Sequence, residues 1–492
     1  MLGMGIKVLL TFITEVLAAR ILLPERYGLI TWGMMSLNLL CILTGLGFNT
    51  AIRRFVSIYQ SEGKPELACG VINLATLVSA IGGFLGGIGL FIGAGWLATS
   101  VMGDNREALI LTTLAVALPL LNLQRVMIAV FSGFKLPKYK VLVEDIMVPA
   151  GFLIVVLSAW VMGWKEFQIV CGYVLVYFLS SILAVAFVRT KTPYRNMVQV
   201  QPQYRPREIL KFSWPLIFTE PLAKFTGFID VIIIGVFAAS YEVGLYRSAS
   251  DLASAMTLIL MSFAFLYLPI GSDFIAKGEN KQWKDMNARV ARWSAVMAFP
   301  LFATLFFFPE EVLVTVYGEQ YIEAASSLRI LAVAYYGNAM VGFTGLNLAI
   351  AGMTKTQLVV FFCGFVLNVA GNAILIPVYG IEGAAVASLL SIFAINGTCL
   401  VVLKWKFGIH PFARQYIHNL GFMLLTASVG AWSWHQFTDA VSDIISVTVF
   451  PLMCFSFIYI LHALGYLIDP VDRELMRILI KRQVSTLHKQ TL

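Results

Sequence analysis

Apolar residues along this chain fall in fourteen blocks parted by short polar segments, and most blocks approach the roughly 20 residues a helix needs to cross a bilayer's hydrocarbon. The blocks lie at 4–22, 28–49, 67–98, 108–130, 141–162, 167–188, 213–238, 245–269, 291–308, 327–351, 357–376, 383–403, 419–436 and 444–468. The pattern predicts an all-α, polytopic membrane protein with about 14 transmembrane helices. The third block exceeds thirty residues, which predicts a tilted helix or a helix followed by a surface turn. No small-residue cleavage site follows the first block, so it is read as a retained span. The segment from Pro309 to Ser326 carries Glu310, Glu311, Glu319 and Glu323 and predicts a surface helix. Beyond the last block, Asp469 and Pro470 predict a helix start. Leu475, Met476, Leu479 and Ile480 then interleave with Arg473, Arg477, Lys481 and Arg482, the pattern of an amphipathic helix on the membrane surface.

Charge gives the bundle a direction. Lys and Arg number 26 in the loops on the side of the C-terminus, and three (Arg26, Arg106 and Lys165) in the loops opposite. Such an imbalance over short loops predicts cytoplasmic termini in the inner (plasma) membrane. The net charge of +8 then reflects orientation and attraction to anionic lipid, with no call for nucleic acid. Composition agrees: 59% of the 492 residues are apolar and 13% charged, about half the charged share of a soluble domain.

The chain repeats itself faintly. Tyr27-Gly28-Leu29, between the first two blocks, has a counterpart in Val243-Gly244-Leu245, between the seventh and eighth, 216 positions later. Two six-helix lobes are expected, at residues 1–190 and 213–403, joined by a basic cytoplasmic linker at 191–212. Two further spans at 404–468 and the amphipathic tail at 469–492 complete the plan. Repeated halves suit alternating access, in which one bundle rocks against the other around a central site.

Ionisable residues inside spans cost roughly 2.5 to 3.5 kcal/mol each on insertion, so each one needs a reason. They concentrate in the first span (Lys7, Glu15, Arg20), the fifth (Glu144, Asp145), the seventh (Glu220, Lys224, Asp230) and the eighth (Arg247, Asp251). Arg53 and Arg54 close the second span and Arg329 opens the tenth. Two readings stand side by side. Glu220 with Lys224 and Arg247 with Asp251 are spaced i, i+4 and can cancel each other in dry packing, and Arg20, Arg247 and Arg329 lie near an interface where they can snorkel. Alternatively these groups line a hydrated cavity, which the unpaired Asp230 favours. Arginines in a cavity suit a phosphate or diphosphate head group, because guanidinium offers planar paired donors and keeps its charge. Carboxylates such as Glu15, Glu220, Asp230 and Asp251 could couple transport to H+ or Na+.

Other features exclude chemistry. The glycines between Gly82 and Gly95 follow small-xxx-small spacing, which indicates close helix packing, and no Walker A motif or metal-like Cys or His spacing occurs. His435 with Asp439 is the one mixed cluster on an outer loop.

The segment Leu17-Ala-Ala-Arg20-Ile-Leu-Leu-Pro-Glu-Arg-Tyr27-Gly28 resembles the entry motif of the polysaccharide-type flippases in the multidrug/oligosaccharidyl-lipid/polysaccharide exporter superfamily. Leu46-Gly47-Phe48-Asn49-Thr50-Ala51-Ile52-Arg53-Arg54, Gly244-Leu245-Tyr246-Arg247 and the stretch Leu328–Ser388, with Asn368-Val-Ala-Gly-Asn372 and Pro377-Val-Tyr-Gly380, extend the likeness over the whole chain. The resemblance implies a non-ATPase transporter, with no catalytic residue and no cofactor. It would move a lipid-linked oligosaccharide on a polyprenyl phosphate or diphosphate carrier to the outer leaflet, alongside a polysaccharide polymerase or export machinery. It also implies that Arg20, Arg53 or Arg54, and Arg247 grip the diphosphate; Arg329 and Lys224 are further candidates from the residues themselves. A multidrug or cation exporter of the same superfamily is the nearest alternative, and a membrane glycosyltransferase or polymer ligase the alternative from another class.

Overall fold

The computed structural model describes residues 2–102, 105–197, 200–213 and 229–412, with scattered positions between 416 and 456, and these are helical with no strand among them. Helix α1 runs Leu2–Thr44 but is broken at Leu23, whose φ of 66° and ψ of 165° lie outside the helical region. The cause is Pro24, whose ring disfavours helical geometry at the residue before it. The break separates the first two predicted spans.

Next come α2 (Phe48–Ser61), α3 (Pro65–Trp96), α4 (Asn105–Gly133), α5 (Pro137–Met162) and α6 (Glu166–Lys191). The long third block is thus one continuous helix before a wider turn at Leu97–Met102. Its apolar side chains Phe84, Phe91, Ile92 and Trp96 face outward, as expected of a helix whose solvent is lipid. The linker carries α7 (Pro206–Ser213) and docks on the first lobe: the Gln203 amide donates to the Glu66 carbonyl at 3.1 Å, and Ile209 is buried beside Phe55.

The second half holds α8 (229–237), α9 (Ser240–Ala276), α10 (Asn280–Phe307), α11 (Pro309–Val316), α12 (Ala325–Val341), α13 (Thr344–Ile350) and α14 (Thr354–Phe407). Helix α9 bends by 48° between Ala264 and Tyr267, four residues before Pro269, where the proline ring displaces a backbone carbonyl. At 54 residues α14 is far longer than one crossing, and Gly380 breaks it with φ 56° and ψ −136°, a conformation open to glycine and closed to other residues. The segment after α10 differs from the expected surface helix. Its α11 and the turn Glu319–Ala324 bury Leu313, Tyr317 and Tyr321 in the core, because an aromatic and aliphatic face opposes the four glutamates.

Six helices among the described residues are long and apolar enough to cross a membrane, and the bent α9 makes a seventh. Most of the last expected span, the tail and the His435/Asp439 pair lie outside the described residues.

Packing divides the bundle's two ends. At the end bearing Tyr27 and Gly244, one apolar core runs through both halves, from Ala18 and Tyr27 to Leu245 and Tyr321. At the opposite end, where the basic loops cluster, the cores are separate. One gathers Phe48, Ile72 and Val130, and others gather Trp283, Leu348 and Tyr267. The halves are joined at the Tyr-Gly end and parted at the basic end.

Candidate functional site

The junction is built on the repeat. A Cβ placed on Gly28 would sit 1.7 Å from the Ser240 carbonyl oxygen, and one on Gly244 would sit 2.1 Å from that of Pro24. Gly28 and Gly244 are 216 residues apart, and so are Pro24 and Ser240, so the contact maps onto itself under the internal repeat. Pairs of this kind form when one surface patch meets its own copy about a two-fold axis. Glycine is needed at both positions for the backbones to approach so closely.

Behind this junction lies a cavity of about 680 Å³, within the size range that holds a drug-sized ligand. Its walls come mostly from the two halves of α1 and from α4, α5 and α6, with Arg247 supplied by α9. Exposure falls along it: Lys7 and Glu144 side chains, near the basic end, are 38% and 32% exposed, whereas Leu22 and Tyr27, at the Tyr-Gly end, are 3% and 4% exposed. Entry is from the basic end.

Of the arginines singled out from the sequence, Arg53 and Arg247 line this cavity. Arg247 Nη2 donates to Glu15 Oε1 at 3.0 Å and lies 2.8 Å from Asp251 Oδ1, so Glu15 reaches the cavity with it and Asp251 stands behind. The i, i+4 pair forms on a cavity wall and with a third partner from the other lobe.

Three arginines are placed elsewhere. Arg20 points away from the cavity and donates to the carbonyls of Thr315 and Val316, the latter at 2.7 Å, at the C-terminal end of α11. Free carbonyls at a helix end attract a cation, so this geometry has its own sufficient cause. Arg54, one residue on from Arg53 and so rotated about 100° round the helix, lies 4.5 Å from the Phe212 ring centroid. Arg329 donates to the Phe306 carbonyl at 3.3 Å and lies 3.9 Å from Glu310. Lys224 and Glu220 are outside the described residues.

Asp230 is also absent from the cavity wall; it is buried in the second lobe within a polar cluster. Tyr246 Oη, Ser388 Oγ and Asn372 Nδ2 donate to its carboxylate at 2.8, 2.5 and 2.7 Å. Asn372 also donates to Asn368 Oδ1 at 3.1 Å, while its own Oδ1 is buried with no partner. No cation pairs with Asp230 among the described residues. Asn368, Asn372, Ser388 and Ser391 recur at near-helical spacing in otherwise apolar stretches, a signal that could have flagged them from the sequence.

Sequence reasoning also passed over Arg125, Asn38, Tyr173 and Tyr177, all cavity-lining. Arg125 is a cation inside a predicted span, five residues from its end at 130, the same kind of signal that drew attention to Arg247. The aromatic wall carries no sequence signal, since tyrosine is common in membrane helices.

Four side-chain attachments join the lobes among the described residues. Arg20 holds α11, Tyr321 Oη donates to the Ala19 carbonyl at 2.9 Å, Trp32 Nε1 donates to the Ile232 carbonyl at 3.2 Å, and Glu15 holds Arg247. Only the last has both partners on the cavity wall.

Comparison with known proteins agrees with this architecture. Over 193 residues the chain is 30% identical to the probable low-salt glycan biosynthesis flippase Agl15 of Haloferax volcanii, a match that spans 39% of this chain and 40% of that relative's length. Among solved structures, the lipid II flippase MurJ in an inward closed conformation superposes with a TM-score of 0.72 at 13% identity, covering 94% of this chain and 98% of that one. An inward-facing multidrug resistance MATE family transporter of the MOP superfamily superposes with a TM-score of 0.68 at 14% identity, covering 82% and 94%. At such identities these two likenesses speak for the fold alone. The family model of polysaccharide biosynthesis proteins matches residues 1–275, more than half of the sequence, and the chain belongs to that family.

Proposed function

We propose that the protein carries a lipid-linked oligosaccharide, on a polyprenyl phosphate or diphosphate, from the cytoplasmic to the outer leaflet by alternating access. The observation that carries this reading is the cavity: it is lined by Lys7, Arg53, Arg125 and Arg247, enters from the basic end, and is closed at the other by a repeat-related contact. Basic loops favour the cytoplasmic side, so the entrance faces the leaflet where such lipids are assembled. A cavity that holds several guanidinium groups at membrane depth suits an anionic head, and the carrier's chain can remain in lipid while the head crosses. Such a transporter would work beside a polymerase or export machinery at the outer face.

The Asp230 cluster supports coupling to H+ or Na+. A buried carboxylate, a serine hydroxyl and the spare Asn372 oxygen form a set of hard oxygen donors, the kind that binds a small cation, and Asp230 could equally take a proton.

Inverted membrane vesicles loaded with a fluorescent polyprenyl-diphosphate disaccharide test the reading. Protein-dependent loss of the probe from the outward-facing cytoplasmic leaflet is expected. Ethidium transport with no movement of the glycolipid would replace it with the multidrug-exporter reading.

A further inference from the structure

The cavity's cations are not equivalent. Lys7 Nζ lies 3.0 Å from Glu144 and 3.7 Å from Asp145, and Arg247 is held by Glu15 and Asp251. Arg53 is exposed at the entrance and within electrostatic reach of Glu144. Arg125 is different. It is half-buried on α4, eight residues or about 12 Å short of the helix end at Gly133, and no carboxylate lies within ion-pair distance of it among the described residues.

Among the described residues its one hydrogen bond runs from Nη2 to Asn38 Oδ1 at 2.8 Å. Asn38 is itself fixed, with Nδ2 donating to the Met34 carbonyl at 2.9 Å, so its oxygen aims the guanidinium and leaves most of the five N–H donors unused. A cation at this depth, without a counter-ion, is costly unless something in the cavity answers it. The neighbouring wall indicates what. Phe152 packs on Tyr173 with ring centroids 4.3 Å apart and on Tyr177 at 5.4 Å, and all three rings line the cavity. Gln124 is held by Ser180 at 2.9 Å beside them. Aromatic rings next to an amide and a free guanidinium fork match a sugar that bears an anionic group: the ring's C–H face meets the aromatics, and the anion takes paired donors.

We infer that Arg125 and Asn38, with the Phe152/Tyr173/Tyr177 wall, form a second anion subsite for the carried head, separate from the Arg247 position. This rests on the flippase reading above. The group bound is an anionic oxygen centre, either the carboxylate of an acidic sugar or a phosphate of the carrier.

Two measurements on the purified full chain test this. In proteoliposomes, Arg125→Gln is compared with wild type on two polyprenyl-diphosphate disaccharides, one ending in glucuronate and one in glucose. A loss of about tenfold, equivalent to 1.4 kcal/mol, confined to the glucuronate probe assigns the subsite to a sugar carboxylate. An equal loss on both assigns it to phosphate. No loss on either overturns the inference. Separately, titration calorimetry with free glucuronate and with inorganic pyrophosphate reads binding without transport. Weaker binding of at least one by Arg125→Gln is expected, and equal binding of both overturns the inference whether or not wild type moves either lipid. Absence of wild-type transport of both lipids would instead count against the flippase reading. Should Arg125→Gln fail to fold, Arg125→Lys, which keeps the charge but not the fork, and Asn38→Ala, which releases the fork's orientation, are each expected to weaken the same probe severalfold.

Discussion

Replacing Gly28 by alanine attacks the junction where it is tightest. The added methyl would stand 1.7 Å from the Ser240 carbonyl oxygen, and real Cβ atoms come no closer than about 3.0 Å to such a neighbour, so the backbones must part by about 1.3 Å. The obstacle is backbone on both sides, with no flexible side chain to swing away. Overpacking of this kind costs about 1–3 kcal/mol. Because the clash exists only while the Tyr-Gly end is closed, that cost falls on one state and shifts the balance toward opening by roughly 5- to 150-fold. The assay is thiol labelling of Thr31→Cys in a background without native cysteines. Thr31 lines the cavity and is buried below the junction. With a membrane-impermeant maleimide on the Tyr-Gly side of sealed vesicles, labelling should be slow with Gly28 and faster by that factor with Gly28→Ala. Gly244→Ala, with a gap of 2.1 Å, should act in the same direction and more weakly. The two together should fall short of the product of the separate factors, because separation forced by one methyl makes room for the other. An unchanged rate in Gly28→Ala, in protein that still inserts and melts normally, would refute the view that this contact is the closed gate.

Two further outcomes follow from the buried charges. Glu15→Gln removes the ion pair between the lobes while leaving Asp251 on Arg247, so pyrophosphate should bind severalfold more tightly by calorimetry, and unchanged or weaker binding would contradict the competition between carboxylate and phosphate. If Asp230 takes up the coupling ion, sodium or low pH should raise the thermal midpoint of wild type, and Asp230→Asn, which keeps the shape of the second-lobe cluster but removes its charge, should abolish that rise; a wild type that does not respond, or a variant that still does, would separate Asp230 from ion coupling.

Much of the fold was legible because its solvent is lipid. A bilayer forces backbone hydrogen bonds inside each helix, so block length speaks clearly, and the break between the first two spans is written in Leu23-Pro24. Tertiary roles were harder to read. The 309–326 segment looked like a surface helix because its glutamates are conspicuous, yet Tyr317 and Tyr321 decide where it lies. Within the site, Arg53 and Arg54 are indistinguishable by type and by depth. Only the rotation of α2 sends one to the cavity and the other to Phe212. Arg20 carried the resemblance to the family's entry motif but is fixed by carbonyls 295 and 296 positions away, a partnership no local pattern encodes.

Acids answer two of the chamber's four cations. Glu144 and Asp145 answer Lys7 at the entrance, and Glu15 and Asp251 answer Arg247 at the closed end. Lys7 at the entrance and Arg247 at the junction are paired, whereas Arg53 at the mouth and Arg125 between them have no ion pair among the described residues. An anion arriving from the basic end would first meet an exposed Arg53, then an unpaired Arg125, and last an arginine already holding Glu15. Of the attachments between the lobes among the described residues, that last one alone faces the cavity, so under the flippase reading it can be exchanged for a contact with cargo. A ligand shifts a conformational balance only through a difference in its contacts between states. Under the flippase reading, the Glu15–Arg247 pair is where cargo binding and opening of the Tyr-Gly end draw on the same guanidinium.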